Sequence, residues 1–282
     1  MRDAKKSFPL ANQESSVWPK FNLGLSLKNL SSSSMPESIM SRQRADLALV
    51  SRGFFASRAK AQEAIAHGFV KVDGVTLTKP SMLIDDAVRI EAQAPYPWVS
   101  RGGVKLDAAL ASFGFDPSGR ICLDIGASTG GFTDVLLARG AARVYAVDVG
   151  HDQLAPKIRW DSRVVAMDAT DARSLTSQDF SAPPDFITCD VSFISLRLVL
   201  PAVLPLAAKR AKLVALIKPQ FEVGPRFVVK GIVKDEAKRQ QACDEISSLV
   251  QAMGWEIAGM IPSPIEGSDG NREYLIGATR AG

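Results

Sequence analysis

Ile121-Cys122-Leu123-Asp124-Ile125-Gly126-Ala127-Ser128-Thr129-Gly130-Gly131-Phe132-Thr133-Asp134-Val135-Leu136-Leu137 is the stretch whose reading decides the fold. Its apolar start has the character of a buried strand, its polar middle is bounded by glycines, and its end has helical spacing. Glycine accepts positive φ and lets backbone N–H groups come close to a ligand. A turn of this kind at a helix N-terminus therefore suits a nucleotide-like molecule.

A dinucleotide fingerprint needs glycine at the first, third and sixth positions. Gly126 and Gly131 occupy the first and sixth, but Ser128 holds the third. The next apolar run, Val144-Tyr145-Ala146-Val147, ends at Asp148, where a carboxylate can meet ribose hydroxyls. This pattern suits S-adenosylmethionine better than NAD. The candidate cofactor contacts are Asp124, Gly126, Ser128, Thr129, Gly130, Gly131 and Phe132 in the loop, with Asp148, Asp168 and Asp190 at the ends of neighbouring strands. For the loop alone, a tight turn without a ligand is the other reading.

Working outward, apolar runs alternate with helical ones: 143–148, 164–168, 186–190 and 213–218. That alternation predicts a parallel sheet with crossover helices and a ligand crevice at the C-terminal strand edge. A long helix over 235–253 and strands at 256–261 and 273–278 bring the expected count to seven, the number in a Rossmann-like methyltransferase sheet. The fold class is thus α/β, preceded by a small α+β unit. Four charged residues fall around the crevice: Lys105, Asp190, Lys218 and Glu273. A charge directly after a buried strand is costly unless it is paired or functional.

The chain has 282 residues, 46% of them hydrophobic, and a net charge of +4. That is enough for an α/β core and a second small domain. Cys122, Cys189 and Cys243 show no CxxC spacing and read as reduced core residues of a cytoplasmic protein. With only His67 and His151, no metal-ligand cluster can be assembled by spacing. The apolar run 198–208 is too short to span a bilayer and contains Pro201 and Pro205, so no membrane partner is expected.

Residues 1–40 lack periodicity and include Ser31-Ser32-Ser33-Ser34, which predicts disorder. An upstream extension with Met40 as the true start is the preferred reading, and a transit peptide is the alternative. Residues 41–92 look different. A helix stopped at Gly53, a second one capped by Ser57 and ended at His67-Gly68, and a hairpin through Asp73-Gly74 are predicted, with a third strand at 88–90. Arg42, Arg44, Arg52, Arg58, Lys60 and Lys71 stand against Asp46 and Glu63 in 42–71, an excess equal to that of the whole chain. These cations, with Ser57, are the candidate RNA contacts of a phosphate-reading module. A proline-stiffened linker follows at 93–100, and the catalytic domain is expected over 101–282.

The first unit resembles the small RNA-binding domain shared by a small-subunit ribosomal protein, pseudouridine synthases and tyrosyl-tRNA synthetases. The matching residues are Arg44-x-Asp46-Leu47-x-Leu49, Ser57-Arg58-x-x-Ala61, Ile65-x-x-Gly68-x-Val70 and Val72-Asp73-Gly74. From 41 to about 280 the chain resembles the TlyA, or hemolysin A, family, in which that module is fused to an FtsJ-like methyltransferase. The motifs are Ser100-Arg101-Gly102-Gly103-x-Lys105-Leu106, the loop 124–133, Asp190-Val191-Ser192-Phe193-Ile194-Ser195-Leu196, Lys218-Pro219-Gln220-Phe221-Glu222 and Gly270-Asn271-x-Glu273-Tyr274.

The resemblance implies a Lys-Asp-Lys-Glu catalytic tetrad at Lys105, Asp190, Lys218 and Glu273. It also implies S-adenosylmethionine as cofactor, rRNA or ribosomal subunits as partner, and 2′-O-methylation of ribose, typically of cytidine. Lys218 is expected to play the central role, and as a base it must be neutral in the reactive state. The segment Tyr96–Val99 occupies the place of a family element linked to cofactor binding. A ribosome-assembly factor with a vestigial fold is the alternative function, while a cytolysin is disfavoured for lack of a membrane-seeking segment. Target nucleotide and oligomeric state are not encoded in any motif.

Overall fold

The computed structural model describes residues 42–267 and 270–282. The expectations for residues 1–41 lie outside them. In the first unit, β1 (Arg42–Arg44) leads into α1 (Ala45–Ser51) and α2 (Arg58–Ala66), then β2 (Val70–Val72), β3 (Val75–Thr76), β4 (Leu83–Asp85) and β5 (Ile90–Ala92). Ser57 accepts the Lys60 N–H and starts α2 as its sequence position predicts. Asp73 and Gly74, at φ +49° and +81°, make the tight turn between β2 and β3. The third predicted strand sits two residues later than expected, because β5 pairs with β2 in the register Val70↔Ala92. The β1–β4 ladder, three residues on each side, is too short for periodicity to reveal.

The second unit runs α3 (Gly102–Phe113), β6 (Ile121–Ile125), α4 (Gly131–Ala138), β7 (Arg143–Val147), α5 (Pro156–Arg159), β8 (Val164–Met167), β9 (Phe186–Cys189), α6 (Leu196–Val203), β10 (Ala211–Ile217), α7 (Pro219–Glu222), α8 (Glu236–Ala252), β11 (Glu256–Pro262) and β12 (Tyr274–Arg280). Its seven strands form one sheet in the order β11-β12-β10-β9-β6-β7-β8. β12 is antiparallel to both neighbours, and the pairings among β6 to β10 are parallel.

Side chains alternate across this sheet and divide its core in two. Leu123, Ile125, Ile187 and Cys189 face α6 and α8, packing with Leu200, Ile246 and Val250. Cys122 and Phe186 face α3 and α4, packing with Leu106, Leu110 and Leu136. The three cysteines are buried and unbridged.

Register brings the site together. Ile217 pairs with Tyr274, so Lys218 leaves β10 beside Glu273, which enters β12. Ile125 pairs with Cys189 and Val147, so Gly126, Asp190 and Asp148 emerge side by side. A β-carbon on Gly126 (φ +78°) would collide with the Asp190 carbonyl, so glycine there lets the loop pack directly on the end of β9.

Candidate active site

Two cavities meet at this edge and share Gly126, Ser128, Asp190, Ser192 and Phe193 in their walls. The first, of about 540 Å³, has apolar walls that include Val147, Val149, Ala172 and Ile194, with Asp148 at its rim. The Asp148 carboxylate accepts the N–H groups of Ser128 and Gly150, both at 2.8 Å. That fixes it in place while leaving oxygen lone pairs for a diol. The second cavity, of about 610 Å³, is lined by Thr129, Gly131 and Phe132 of the loop and by Lys105, Asp190, Lys218 and Glu273. Both volumes lie within the roughly 300–1,000 Å³ typical of small-molecule sites.

The four charged residues form two ion pairs that line the same cavity. Lys105 Nζ is 2.5 Å from Glu273 Oε2, with both side chains buried. Lys218 Nζ is 2.6 Å from Asp190 Oδ1 and donates to Ser192 Oγ at 2.8 Å. Each lysine is therefore fixed by a carboxylate beside the glycine loop. At the mouth, Phe193 is 92% exposed at φ +63°, its ring 5.3 Å from that of Phe221.

Glu222 braces these two loops. Its carboxylate accepts the Ser195 hydroxyl at 2.5 Å and the Leu196 N–H at 2.8 Å, so the segment carrying Lys218 caps the helix that follows Asp190.

Other expected contacts lie elsewhere. Asp124 shares the sheet face of Cys122, so its wholly buried carboxylate points under the loop and accepts the hydroxyls of Thr133 (2.6 Å) and Thr188 (2.8 Å). Gly130 caps α4 and turns toward Ile158 and Leu154. Asp168 is held by Arg159. None of these three lines either cavity.

Most cations of the first unit are also engaged. Arg44 and Arg58 both bond the buried Asp46, whose carboxyl the guanidinium of Arg44 above all holds far below the usual range despite burial. Arg42 pairs with Asp85, and Arg52 with Asp86. Lys60 donates to the Trp98 carbonyl at 3.1 Å, while Lys71 is exposed on β2. Ser57, Lys60 and Glu63 line the second cavity, which the sequence did not reveal. Ser192, which lines both cavities, and Glu222, which braces two of their loops, were not among the expected contacts, although both lie inside the quoted motifs. That position was their signal.

Residues 98–280 match the FtsJ-like methyltransferase family, and residues 43–90 match the S4 domain. The chain is 44% identical over 238 residues to the 16S/23S rRNA (cytidine-2′-O)-methyltransferase TlyA of Mycobacterium tuberculosis, covering 83% of this chain and 89% of that protein. The chain belongs to the TlyA family. Another TlyA-family relative, hemolysin A of Brachyspira hyodysenteriae, is 42% identical over 82% of this chain and 98% of its own. A solved structure bearing a hemolysin name, from Streptococcus thermophilus, is 39% identical with a TM-score of 0.68, covering 86% of this chain and 90% of that one. The chain is thus a methyltransferase by family, with an S4 RNA-binding unit. Among the described residues, no helix is long and apolar enough to cross a membrane.

Proposed function

We propose that this chain transfers a methyl group from S-adenosylmethionine to the 2′-hydroxyl of a ribose, a cytidine, in ribosomal RNA, working in the cytoplasm. In this reading, residues 41–92 bind RNA, 93–100 link, and 101–282 catalyse. The observation that carries it is the pair of lysine–carboxylate bridges, Lys105–Glu273 and Lys218–Asp190, lining a cavity that the glycine loop also lines.

The residues fit the cofactor. The apolar slot suits a purine, Asp148 suits the ribose diol, and Asp190 offers negative charge to a sulfonium. When bound, S-adenosylmethionine supplies an electrophilic methyl group. The protein aligns the acceptor oxygen and makes it nucleophilic. Lys218, positioned by Asp190 and Ser192, gives up its own ammonium proton to solvent and, as the neutral amine, accepts the proton of the hydroxyl as the oxygen is methylated. Lys105, held by Glu273, supplies the fixed positive charge against the developing alkoxide. Phe193 and Phe221 present an aromatic surface to the attached base.

The test is labelled donor with undermodified ribosomal subunits or free rRNA. Wild type is expected to label a ribose 2′-oxygen, and Lys218→Ala to lose on the order of a thousandfold in rate. Lys218→Arg keeps the cation but cannot release a proton, so it too is expected to be inactive. No labelling by wild type, or full labelling by Lys218→Ala, would overturn the reading.

A further inference from the structure

The connection from α7 to α8 is a hairpin arm whose charges the catalytic geometry does not use. Val229 N–H donates to the Ile232 carbonyl at 2.9 Å, and Ile232 N–H returns the bond at 3.1 Å. Between them Lys230 and Gly231 have φ of +50° and +81°, the pattern of a type I′ turn. The β2–β3 turn has nearly the same angles but places Asp73 first, a residue that accepts the left-handed region readily. A lysine there carries backbone strain that its side chain does not relieve locally.

The base of the arm is locked. Asn271, fully buried, accepts the Val233 N–H at 3.1 Å and donates to the Gly231 carbonyl at 2.7 Å. Arg239 donates to the Val233 carbonyl at 2.7 Å. The Phe227 ring lies under both Arg226 (4.7 Å) and Lys238 (4.3 Å).

The arm's charge is uncompensated. Asp235 caps α8, and Glu236 is bound by Arg239, with Arg272 and Tyr274 nearby. Among the described residues, exposed Arg226, Lys230 and Lys234 have no carboxylate partner, unlike Arg42, Arg44, Arg52 and Arg58 of the S4 unit. The arm leaves the C-terminal edge of β10, and its anchor Asn271 stands two residues before Glu273. It therefore flanks the lysine-lined cavity on the β10–β12 side. On another side that cavity is lined by Ser57, Lys60 and Glu63, on and just before α2.

We propose that this arm, residues 223–234, is an RNA-phosphate contact surface of the catalytic unit, with Lys230, Lys234 and Arg226 gripping the backbone next to the target nucleotide. The proposal rests on the rRNA reading above. A rigid arm of point charges beside the acceptor cavity contacts phosphates in any sequence and fixes the register of the strand.

The experiment measures binding of the full chain to protein-free 16S and 23S rRNA transcripts across a salt series, with wild type, Lys230→Asn, and the triple variant Arg226→Gln/Lys230→Asn/Lys234→Gln. The triple variant is expected to bind on the order of tenfold more weakly and to flatten the log K against log salt slope by roughly two. Its affinity for S-adenosylmethionine should match wild type. Lys230→Asn is expected to retain or raise the melting temperature while weakening RNA binding, which separates charge from folding. An unchanged salt slope in the triple variant, with wild type binding, overturns the proposal. A loss seen with assembled subunits but not with free rRNA also overturns it, because it places a ribosomal protein on the arm. Wild type that binds no rRNA brings down the rRNA reading itself and this proposal with it.

Discussion

Asp124 is a charged group held where water cannot reach it. Burial pushes its carboxyl up to about 6, although the Thr133 and Thr188 hydroxyls pull the other way. Below about pH 4 both folded and unfolded forms are protonated. As pH rises from about 4 to about 6 the unfolded chain releases the proton first, so stability falls by roughly 3 kcal/mol and then levels off. Asp124→Asn is expected to remove that slope in urea unfolding followed across pH, because either threonine hydroxyl can rotate to accept from the amide. A glycine gives the complementary case. Gly126→Ala should lose donor binding and cost about 2 kcal/mol or more, since its β-carbon would meet the Asp190 carbonyl at a positive φ. Calorimetric titration with the donor and thermal melting check both effects.

At the scale of elements, the site depends on how separate strand ends are tied together. Glu222 ties the β10 exit to the start of α6, which holds Lys218 at Asp190. Glu222→Ala removes a helix cap and the brace, for an expected loss of about 1–2 kcal/mol. The turnover rate should fall about a hundredfold with donor affinity preserved, because alignment rather than cofactor contact is lost. Glu222→Gln, which keeps an acceptor for Leu196 N–H, should recover much of that rate. Kinetics under saturating donor distinguish the two. In the S4 unit, Asp46 plays a similar tying role by joining α1 to α2 through Arg58 and Gln62 and to the end of β1 through Arg44. Its depressed pKa means this contribution is present above about pH 4 and fades on acidification, so Asp46→Asn should lower the melting temperature at pH 7 and flatten its fall in acid.

Across the whole molecule, the S4 unit is fastened beside the glycine loop. The Tyr96 hydroxyl donates to Glu63 at 2.6 Å, Arg101 lies 3.7 Å from Glu63, and Val99 N–H donates to Asp134 at 2.8 Å. Glu63→Ala should loosen this seam. Trypsin cleavage after Arg101 is expected to speed up roughly tenfold, the factor given by about 1.4 kcal/mol of lost opening free energy. An unchanged cleavage rate would show that the seam is held by Trp98 and Asp134 instead.

The sequence by itself determined the seven-stranded α/β sheet, the hairpin at Asp73-Gly74, the cap at Ser57, and the motifs that carry Lys105, Asp190, Lys218 and Glu273. Periodicity, turn chemistry and capping are local, so they can be read along the chain. Only the tertiary structure decided that Lys218 pairs with Asp190 while Lys105 pairs with Glu273, that Asp124 lies beneath the loop, and that Arg44 and Arg58 meet at Asp46. The first two outcomes follow from strand register and from which sheet face a side chain occupies, and the third from the packing of α1 against α2. A shift of one residue in pairing would reverse both, and nothing local in the chain records that choice.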